Sequence, residues 1–230
     1  MDAPDVIVVG AGVIGLSVAL EAQARGLRVR VVDRAGPAAG ASTGNAGAFA
    51  FSDILPLASP RIIRQAPRWL MDPLGPLSVP PRYALRIAPW LWRFWRASRP
   101  AQVRASTVAQ AALMRASRAA LEPLLAREGL AGMLRRDGQL QVYEGAGEFR
   151  ASLPGWQVRA AEGIDFRHLE GAKMAEVQPG LSPRFTHATL TPGWWSIADP
   201  RDYTLALAER VRANGGEIVI AEALALVAGG

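Results

Sequence analysis

The chain has no cysteine, two histidines and a single lysine among its 230 residues. Without cysteine there are no disulfides, no thiolate zinc ligands and no thiol nucleophile. His168 and His187 have no partner nearby in the sequence, so we interpret both as structural and predict no metal site. The absence of disulfides fits a cytoplasmic protein.

Long hydrophobic runs are also missing. No uninterrupted apolar stretch reaches the roughly 18 residues of a membrane-spanning helix. The uncharged stretch Val6–Leu20 follows Asp2 and Asp5 rather than basic residues, which argues against a signal peptide. With 50% hydrophobic residues, the chain can still form the core of one large domain or of two small ones.

Acidic residues are scarce in one part of the chain. The net charge is +6, but Arg61–Arg118 contains 11 arginines and only one acid, Asp72. No sequence signature of a nucleic-acid-binding module accompanies these arginines. We therefore predict no nucleic-acid partner.

The sequence does contain a strand, a glycine-rich turn and a helix near its start. The apolar run Val6–Val9 predicts a short buried strand and leads into Gly10-Ala11-Gly12-Val13-Ile14-Gly15. The spacing Gly-x-Gly-x-x-Gly between a strand and a helix is typical of dinucleotide binding. Gly10 allows the tight turn, Gly12 lets a pyrophosphate approach the backbone, and Gly15 lets the helix pack on the strand. The helix then directs its first free amides at the phosphates.

The residues after the turn agree with this hypothesis. Val13–Arg25 predicts an amphipathic helix closed by Gly26, and Arg28–Val32 predicts a second strand. That strand ends in Asp33, 18 residues after Gly15, where the acid that binds the adenosine ribose is expected. Its carboxylate would repel a 2′-phosphate. The alternative is an ordinary βαβ core with a chance glycine turn.

The segment Ala35–Phe51 is uncharged and rich in small residues. An NAD-type Rossmann half would proceed at once to another helix and strand, and this segment does not. Ser42 and Thr43 can donate hydrogen bonds to phosphate, and Asn45–Gly47 can line a flat ring. A plain surface linker is the alternative interpretation.

These motifs resemble those of the flavin-dependent D-amino-acid dehydrogenases, within the broader D-amino-acid oxidase and glycine oxidase superfamily. The resemblance covers essentially all 230 residues. Its landmarks are Gly10-x-Gly12-x-x-Gly15, Asp33-Arg34, Ser42-Thr43-x-Asn45-Ala46-Gly47, Pro89–Trp95 with Ser98-Arg99-Pro100, Asp137–Val142, Ala175–Pro179 and Asp199-Pro200.

The resemblance implies an α/β fold, with a Rossmann-like FAD-binding domain and an inserted, here incomplete, α+β substrate domain. The FAD-binding domain is expected at 1–60 and 197–230, and the substrate domain at 61–196. The implied reaction is oxidative deamination: a hydride leaves the amino-acid Cα for the flavin N5, and the imino acid hydrolyses. The implied partners are the amino acid and an electron acceptor, which is oxygen, a quinone or a redox protein.

The resemblance also implies a set of FAD-binding residues. Asp33 takes the ribose hydroxyls, the side chains of Ser42 and Thr43 take the pyrophosphate side, and the backbone near Ala223 touches the adenine. The full set is Gly10, Ala11, Gly12, Val13, Ile14, Gly15, Asp33, Arg34, Ser42, Thr43, Asn45, Ala46, Gly47 and Ala223.

Two family features have no counterpart in these 230 residues, so we assign no catalytic residue. They are a second glycine-rich flavin segment and the arginine that binds the substrate carboxylate, both expected later in such proteins. We interpret the chain as an N-terminal portion, and expect residues 1–230 alone to bind FAD weakly and to show no D-amino-acid turnover. The alternatives are an NAD-dependent dehydrogenase and a non-catalytic nucleotide-binding fragment.

Tryptophans and arginines alternate in a predicted helix, Tyr83–Ala97, expected to be interrupted at Pro89. We favour the interpretation that Trp90, Trp92 and Trp95 pack beneath the substrate domain while the arginines face solvent. The alternative is contact with a membrane surface or an electron acceptor, which leaves peripheral attachment at the inner face of a membrane open.

The remaining pattern predicts elements that alternate between helix and strand. Asp199-Pro200-Arg201-Asp202 has the residues of a helix start, and Glu217–Ala221 predicts a strand that returns to the nucleotide-binding sheet. Further predictions are a short helix at Arg61–Trp69, a helix at Ala101–Arg127 with Leu113, Leu121 and Leu125 on one face, a strand at Leu140–Tyr143, a helix at Glu148–Glu162 interrupted near Pro154, a strand at Phe166–Leu169, a helix at Glu170–Val177 and extended structure at Thr186–Trp194.

Overall fold

A computed structural model describes residues 3–60, 62–63 and 83–225. Its elements in chain order are β1 (Val6–Val9), α1 (Val13–Gln23), β2 (Val29–Asp33), β3 (Ala48–Phe49), α2 (Ala84–Ala97), α3 (Pro100–Arg127), a 3-10 turn (Ala131–Met133), β4 (Leu134–Arg135), β5 (Gln139–Tyr143), α4 (Gly145–Ala161), β6 (Arg167–Glu170), α5 (Ala172–Val177), β7 (His187–Thr191), β8 (Trp195–Ile197), α6 (Pro200–Ala213) and β9 (Glu217–Ile220). The predicted helix at Arg61–Trp69 falls almost entirely outside the described residues.

The chain divides into two compact units. Unit 1 comprises Met1–Ala50, Ala119–Gly138 and Trp194–Gly230, and unit 2 comprises Phe51–Arg118 and Gln139–Gly193. These bounds differ from the predicted ones chiefly because residues 119–138 belong to unit 1. That segment contains β4, which pairs with β8. Whether the units serve as FAD-binding and substrate domains stays a prediction.

Unit 1 contains a parallel sheet of order β1-β2-β9. Val6 pairs with Val29 across the first two strands, and Asp33 pairs with Ile220 across the second pair. The predicted return of the chain to this sheet after residue 216 is therefore confirmed. A parallel strand pair requires a long crossover, which α1 supplies between β1 and β2.

One face of this sheet is open among the described residues. Val8 and Val31 are buried, and Val8 faces α1, whereas Ile7 and Val9 are each 59% exposed. The prediction of a buried first strand is therefore wrong for Ile7 and Val9. A continuous apolar run predicts cover on both faces of the sheet. The described elements supply that cover on one face only.

Helix α1 differs from the predicted amphipathic helix. Leu16 and Leu20 are buried, yet Ile14 and Val18 on the opposite side are exposed, so apolar side chains surround the helix. Its predicted end is nearly correct, since Gly26 follows shortly after with a φ of 80° that favours glycine.

Helix α6 begins as predicted. The Asp199 side chain accepts hydrogen bonds from the amides of Arg201 and Asp202, at 2.7 and 3.1 Å, and Pro200 occupies the first helical position. An N-cap oxygen satisfies amides that have no carbonyl partner within the helix. Tyr203, Leu207 and Val211, spaced by four residues, form its buried face.

A second, antiparallel sheet of unit 1 has the order β3-β8-β4. Phe49 pairs with Trp195, and Leu134 pairs with Ile197. The sequence pattern predicted neither β3 nor β4, because each strand has two residues and too few side chains for a period to appear.

Unit 2 contains an antiparallel sheet of order β5-β7-β6, which confirms the three strands predicted there. Leu169, Met174, Ala188 and Leu190 form its buried core. Helix α4 continues through Pro154, as α2 continues through Pro89, so both predicted interruptions are wrong. A proline inside a helix removes one backbone hydrogen bond, and here neither helix ends there.

The expected burial of the α2 tryptophans is wrong, and the expected face of α3 is correct only in part. Trp90, Trp92 and Trp95 are 53%, 58% and 42% exposed, so they do not pack in a core. Leu125 of α3 is buried as predicted, but Leu113 is exposed. None of the helices that the structure describes is both long and apolar enough to cross a membrane.

Candidate functional site

The turn between β1 and α1 requires glycine at two positions. Gly10 has a φ of 109°, in the left-handed region that L side chains rarely adopt. A Cβ on Gly15 would lie 2.0 Å from the carbonyl oxygen of Gly10, so α1 could no longer pack this close to β1. The geometry supplies the physical reason for two of the three predicted glycine roles.

Asp33 reaches from the end of β2 back to the glycine turn. Its Oδ2 accepts a hydrogen bond from the Ala11 amide at 2.9 Å, and its Oδ1 accepts from the Ala35 and Gly36 amides at 2.8 and 2.9 Å. These bonds favour the charged form of Asp33 and hold its pKa below the ordinary value. The bond from the Ala11 amide has the largest effect. The carboxylate therefore stays ionised beside the turn.

Ser42 lies against the start of α1. The Ser42 Oγ accepts a hydrogen bond from the Val13 amide at 2.9 Å, and a Cβ on Gly12 would lie 2.9 Å from the same oxygen. Because Gly12 has no Cβ, the Ser42 hydroxyl can lie this close to the turn. Because a hydroxyl accepts and donates at once, Ser42 can still donate its own proton.

Thr43 and Asn45 hold the loop that follows. The Thr43 hydroxyl donates to the carbonyl of Ala38, so this proton is engaged within the protein. The Asn45 side chain donates to the Ala41 carbonyl and accepts from the Gly47 amide. Both side chains therefore stabilise the loop conformation, a role that the sequence pattern did not predict.

Gly47 anchors this loop to β8. Its carbonyl accepts from the Ile197 amide at 2.8 Å, its φ is 61°, and a Cβ would lie 2.6 Å from the Ile197 carbonyl oxygen. Only glycine fits so close an approach of two backbones.

A small cavity lies beside this loop, entirely within unit 1. Its volume is about 100 Å³, and Ser42, Gly47, Phe49 and Tyr203 are among its lining residues. Binding sites for cofactors usually measure roughly 300 Å³ or more. This cavity by itself is therefore too small to enclose a flavin ring.

Tyr203 was not predicted as part of this region. It is buried, its ring meets that of Phe49 edge to face at 6.0 Å between centroids, and burial raises its pKa to about 12. The four-residue spacing of Tyr203, Leu207 and Val211 along α6 was the available signal for its burial.

Ala223 follows the end of β9, near the end of β2. The Ala221 amide donates to the Asp33 carbonyl at 3.0 Å, which continues the pairing of the two strands by one residue. Ala223 lies two residues after Ala221 and is exposed. Arg34 and Ala46, elsewhere in unit 1, are exposed as well. The fold thus brings Asp33, the glycine turn and the segment before Ala223 to one edge of the parallel sheet.

The two histidines lie on the sheet of unit 2. His168 Nδ1 is 2.9 Å from the Thr189 hydroxyl, and neighbouring aromatic rings desolvate the imidazole and lower its pKa. His187 Nε2 lies 3.4 Å from a carboxylate oxygen of Glu170. Within the described part of the chain, no three His, Asp or Glu side chains cluster as metal ligands would.

A parallel sheet of this order, with a glycine turn after its first strand, defines the Rossmann-like class of nucleotide-binding α/β proteins. Comparison with known proteins refines this class. The chain belongs to the family of FAD-dependent oxidoreductases, whose sequence profile matches residues 5–230.

Two relatives are named for reactions on D-amino acids. The chain is 31% identical to the D-amino-acid oxidase of Bradyrhizobium diazoefficiens over 224 residues, which cover 96% of this chain and 53% of that protein. It is also 31% identical to the D-amino acid dehydrogenase of Rhizobium johnstonii, over 91% of this chain and 51% of that one. The chain therefore spans about half the length of these relatives.

Solved structures share the fold. Glycine oxidase from Geobacillus kaustophilus matches with a TM-score of 0.58 at 19% identity, over 94% of this chain and 46% of that one. Glycine oxidase from Bacillus cereus matches with a TM-score of 0.55 at 22% identity, over 94% and 46%. At this identity the likeness concerns the fold alone.

Proposed function

We propose that this chain is the FAD-binding part of an enzyme that oxidises D-amino acids at the carbon bearing the amine. The observation that carries the proposal is the similarity to a D-amino-acid oxidase along 96% of the chain, far beyond the glycine turn. The family match favours FAD over NAD as the dinucleotide.

The residues of unit 1 fit the adenosine and pyrophosphate of FAD. Asp33 Oδ2 accepts one backbone hydrogen bond and keeps a lone pair for a ribose hydroxyl, whereas Oδ1 already accepts two. The phosphates would lie at the positive end of α1, near Gly12, where Ser42 can donate its hydroxyl proton. Ala223 would meet the adenine through its backbone.

The flavin ring would lie near Asn45, Ala46 and Gly47. The hydrogen bonds of Asn45 and the close backbone contact of Gly47 fix this loop before a ligand arrives. When bound, the flavin supplies the acceptor for the hydride from the substrate Cα, and hydrolysis of the imino acid then gives a 2-oxo acid and ammonia. We assign no residue of this chain to substrate binding or proton transfer.

Anaerobic reduction of the flavin tests the proposal. The protein loaded with FAD, extended to the length of its relatives if the coding sequence continues, is mixed with D- or L-amino acids while flavin absorbance is followed. We expect D-enantiomers to bleach the flavin and L-enantiomers to leave it oxidised. Bleaching by L-amino acids alone, or by neither enantiomer, would contradict the proposed substrate class.

Two further measurements separate the alternatives. Reoxidation of the reduced protein by oxygen, compared with a quinone analogue, distinguishes an oxidase from a dehydrogenase. Tight binding of NAD and none of FAD would instead favour a nicotinamide-dependent enzyme. FAD binding without reduction by any amino acid would favour a nucleotide-binding protein without this activity.

A further inference from the structure

Helix α2 combines a broad apolar side with a narrow arginine side. Arg86, Arg93 and Arg96 are seven and three residues apart, so they lie on one side of the helix. Leu91 and Trp95, four residues apart, lie on the other side and are both exposed. The helix is strongly amphipathic, and Leu91 and Trp95 are not buried in a core.

The aromatic rings of α2 pack on each other. Trp90 stacks on Phe94 with 5.1 Å between ring centroids, and Trp92 stacks on Trp95 with 5.0 Å. No described helix or strand makes more than marginal contact with α2. The rings therefore form an ordered apolar surface that is open to an external partner.

Arginines border this surface, and the described residues place no acid beside Arg93 or Arg96. Arg93, Arg96 and Arg99 line one shallow concavity of about 440 Å³, and the Arg99 guanidinium lies 4.9 Å from the centroid of the Trp95 ring. No ion pair engages Arg93 or Arg96 within the described residues, and the sequence has no acid between Tyr83 and Leu121. A negative group that pairs with these arginines must therefore come from outside residues 83–121.

We propose that α2 is an interfacial helix that docks onto a membrane surface containing anionic lipid. Tryptophans, phenylalanine and leucine would enter the boundary between headgroups and acyl chains, and the arginines would contact lipid phosphates. A helix of 14 residues is shorter than the roughly 20 that a span requires, so it would lie in the plane of the surface. This inference does not depend on the proposed reaction.

The charge favours lipid over a protein partner. The cores of protein interfaces are depleted of charge, whereas here arginines that have no ion pair among the described residues directly flank the exposed tryptophans. A negatively charged bilayer supplies both an apolar layer for the rings and phosphates at the depth of the guanidinium groups.

Vesicle co-sedimentation of the full 230-residue chain tests the proposal. We expect binding to vesicles of equal parts phosphatidylcholine and phosphatidylglycerol, and little binding to phosphatidylcholine alone. Arg93→Gln should lower the partition coefficient about fivefold, the effect of roughly 1 kcal/mol for each basic residue near an anionic surface. Raising the ionic strength should weaken binding, because salt screens these charges.

The tryptophans are tested separately. Replacing both Trp92 and Trp95 by serine should reduce partitioning by about tenfold or more, since large apolar rings no longer leave water. Arg201→Gln and Val158→Ser, at exposed positions on other helices, are the matched controls and should bind like the wild type. Quenching of wild-type tryptophan fluorescence by brominated lipid gives a readout that does not depend on any variant.

Three outcomes would overturn the proposal. They are equal binding to neutral vesicles, an absence of quenching by brominated lipid, and binding that the α2 variants leave unchanged. If vesicles do not bind but the tryptophan variants convert a dimer into a monomer in sedimentation velocity, the partner of α2 is a second copy of the chain.

Discussion

The Asp33 carboxylate at the end of β2 accepts a hydrogen bond from the Ala11 amide in the glycine turn, at 2.9 Å. This bond joins residues 22 positions apart in the sequence and fixes the distance between the turn and the second strand. If FAD binds as proposed, the carboxylate supports the loop and holds the ribose at the same time.

Asp33→Ala should weaken FAD binding by about 1–3 kcal/mol, the usual cost of losing a hydrogen bond to a charged group. Titration calorimetry with FAD measures the change. Asp5→Ala is the control, because Asp5 pairs with Arg28 at the other end of the sheet and should leave the affinity unchanged. Equal affinity of wild type and Asp33→Ala for FAD would refute the ribose assignment.

An analogue separates ribose binding from loop support. ADP should bind the wild type more tightly than its 2′,3′-dideoxy form, and Asp33→Ala should bind the two equally. If the difference persists in the variant, Asp33 only supports the loop.

Gly15→Ala should destabilise the chain by about 3 kcal/mol or more, at the upper end for overpacking. The new Cβ would lie 2.0 Å from the Gly10 carbonyl oxygen, and a backbone atom cannot rotate away. Gly147→Ala in α4 is the matched control, since no atom lies within 4 Å of its Cβ. It should stabilise the chain by about 0.5–1 kcal/mol, because alanine favours the helix. Urea unfolding measures both, and a neutral Gly15→Ala would show that α1 does not pack on β1 as described.

Lowering the pH should remove stability that Asp33 contributes. Because its folded-state pKa is lowered, this contribution is fully present above the ordinary value of 3.8 and is lost as the pH falls below it. Asp33→Asn cannot titrate, so its unfolding free energy should decrease less over this acidic range. Asp5 also titrates there, with a pKa lowered to about 2 by Arg28, so the variant is compared with the wild type at each pH. Parallel curves for the two proteins would contradict the prediction.

Val9→Thr should reduce aggregation with little loss of stability. Val9 is 59% exposed on the open face of the parallel sheet, and such apolar surface favours association between molecules. Val8→Thr is the opposite case, because Val8 is buried beneath α1 and an unpaired hydroxyl there should cost about 1–3 kcal/mol. Light scattering and urea unfolding measure the two effects, and the same response from both variants would show that the faces do not differ.

The sequence by itself determined the features that a single residue or a short motif imposes on the backbone. The turn at Gly10, the helix start at Asp199 and the return of the chain to the sheet at Glu217–Ile220 were predicted and are present. Each depends on a local requirement: a φ that only glycine tolerates, a side chain that caps free amides, or an apolar run after a helix end.

Only the tertiary structure decided which apolar faces are covered and which polar groups meet. The sequence predicted burial for Val9 and Trp92, but both are exposed, since burial depends on what packs against a residue from elsewhere in the chain. It also gave no sign that Ser42 would meet the Val13 amide, or that β3 would pair with β8. Contacts across such separations arise when several elements pack together, so local periodicity does not contain them.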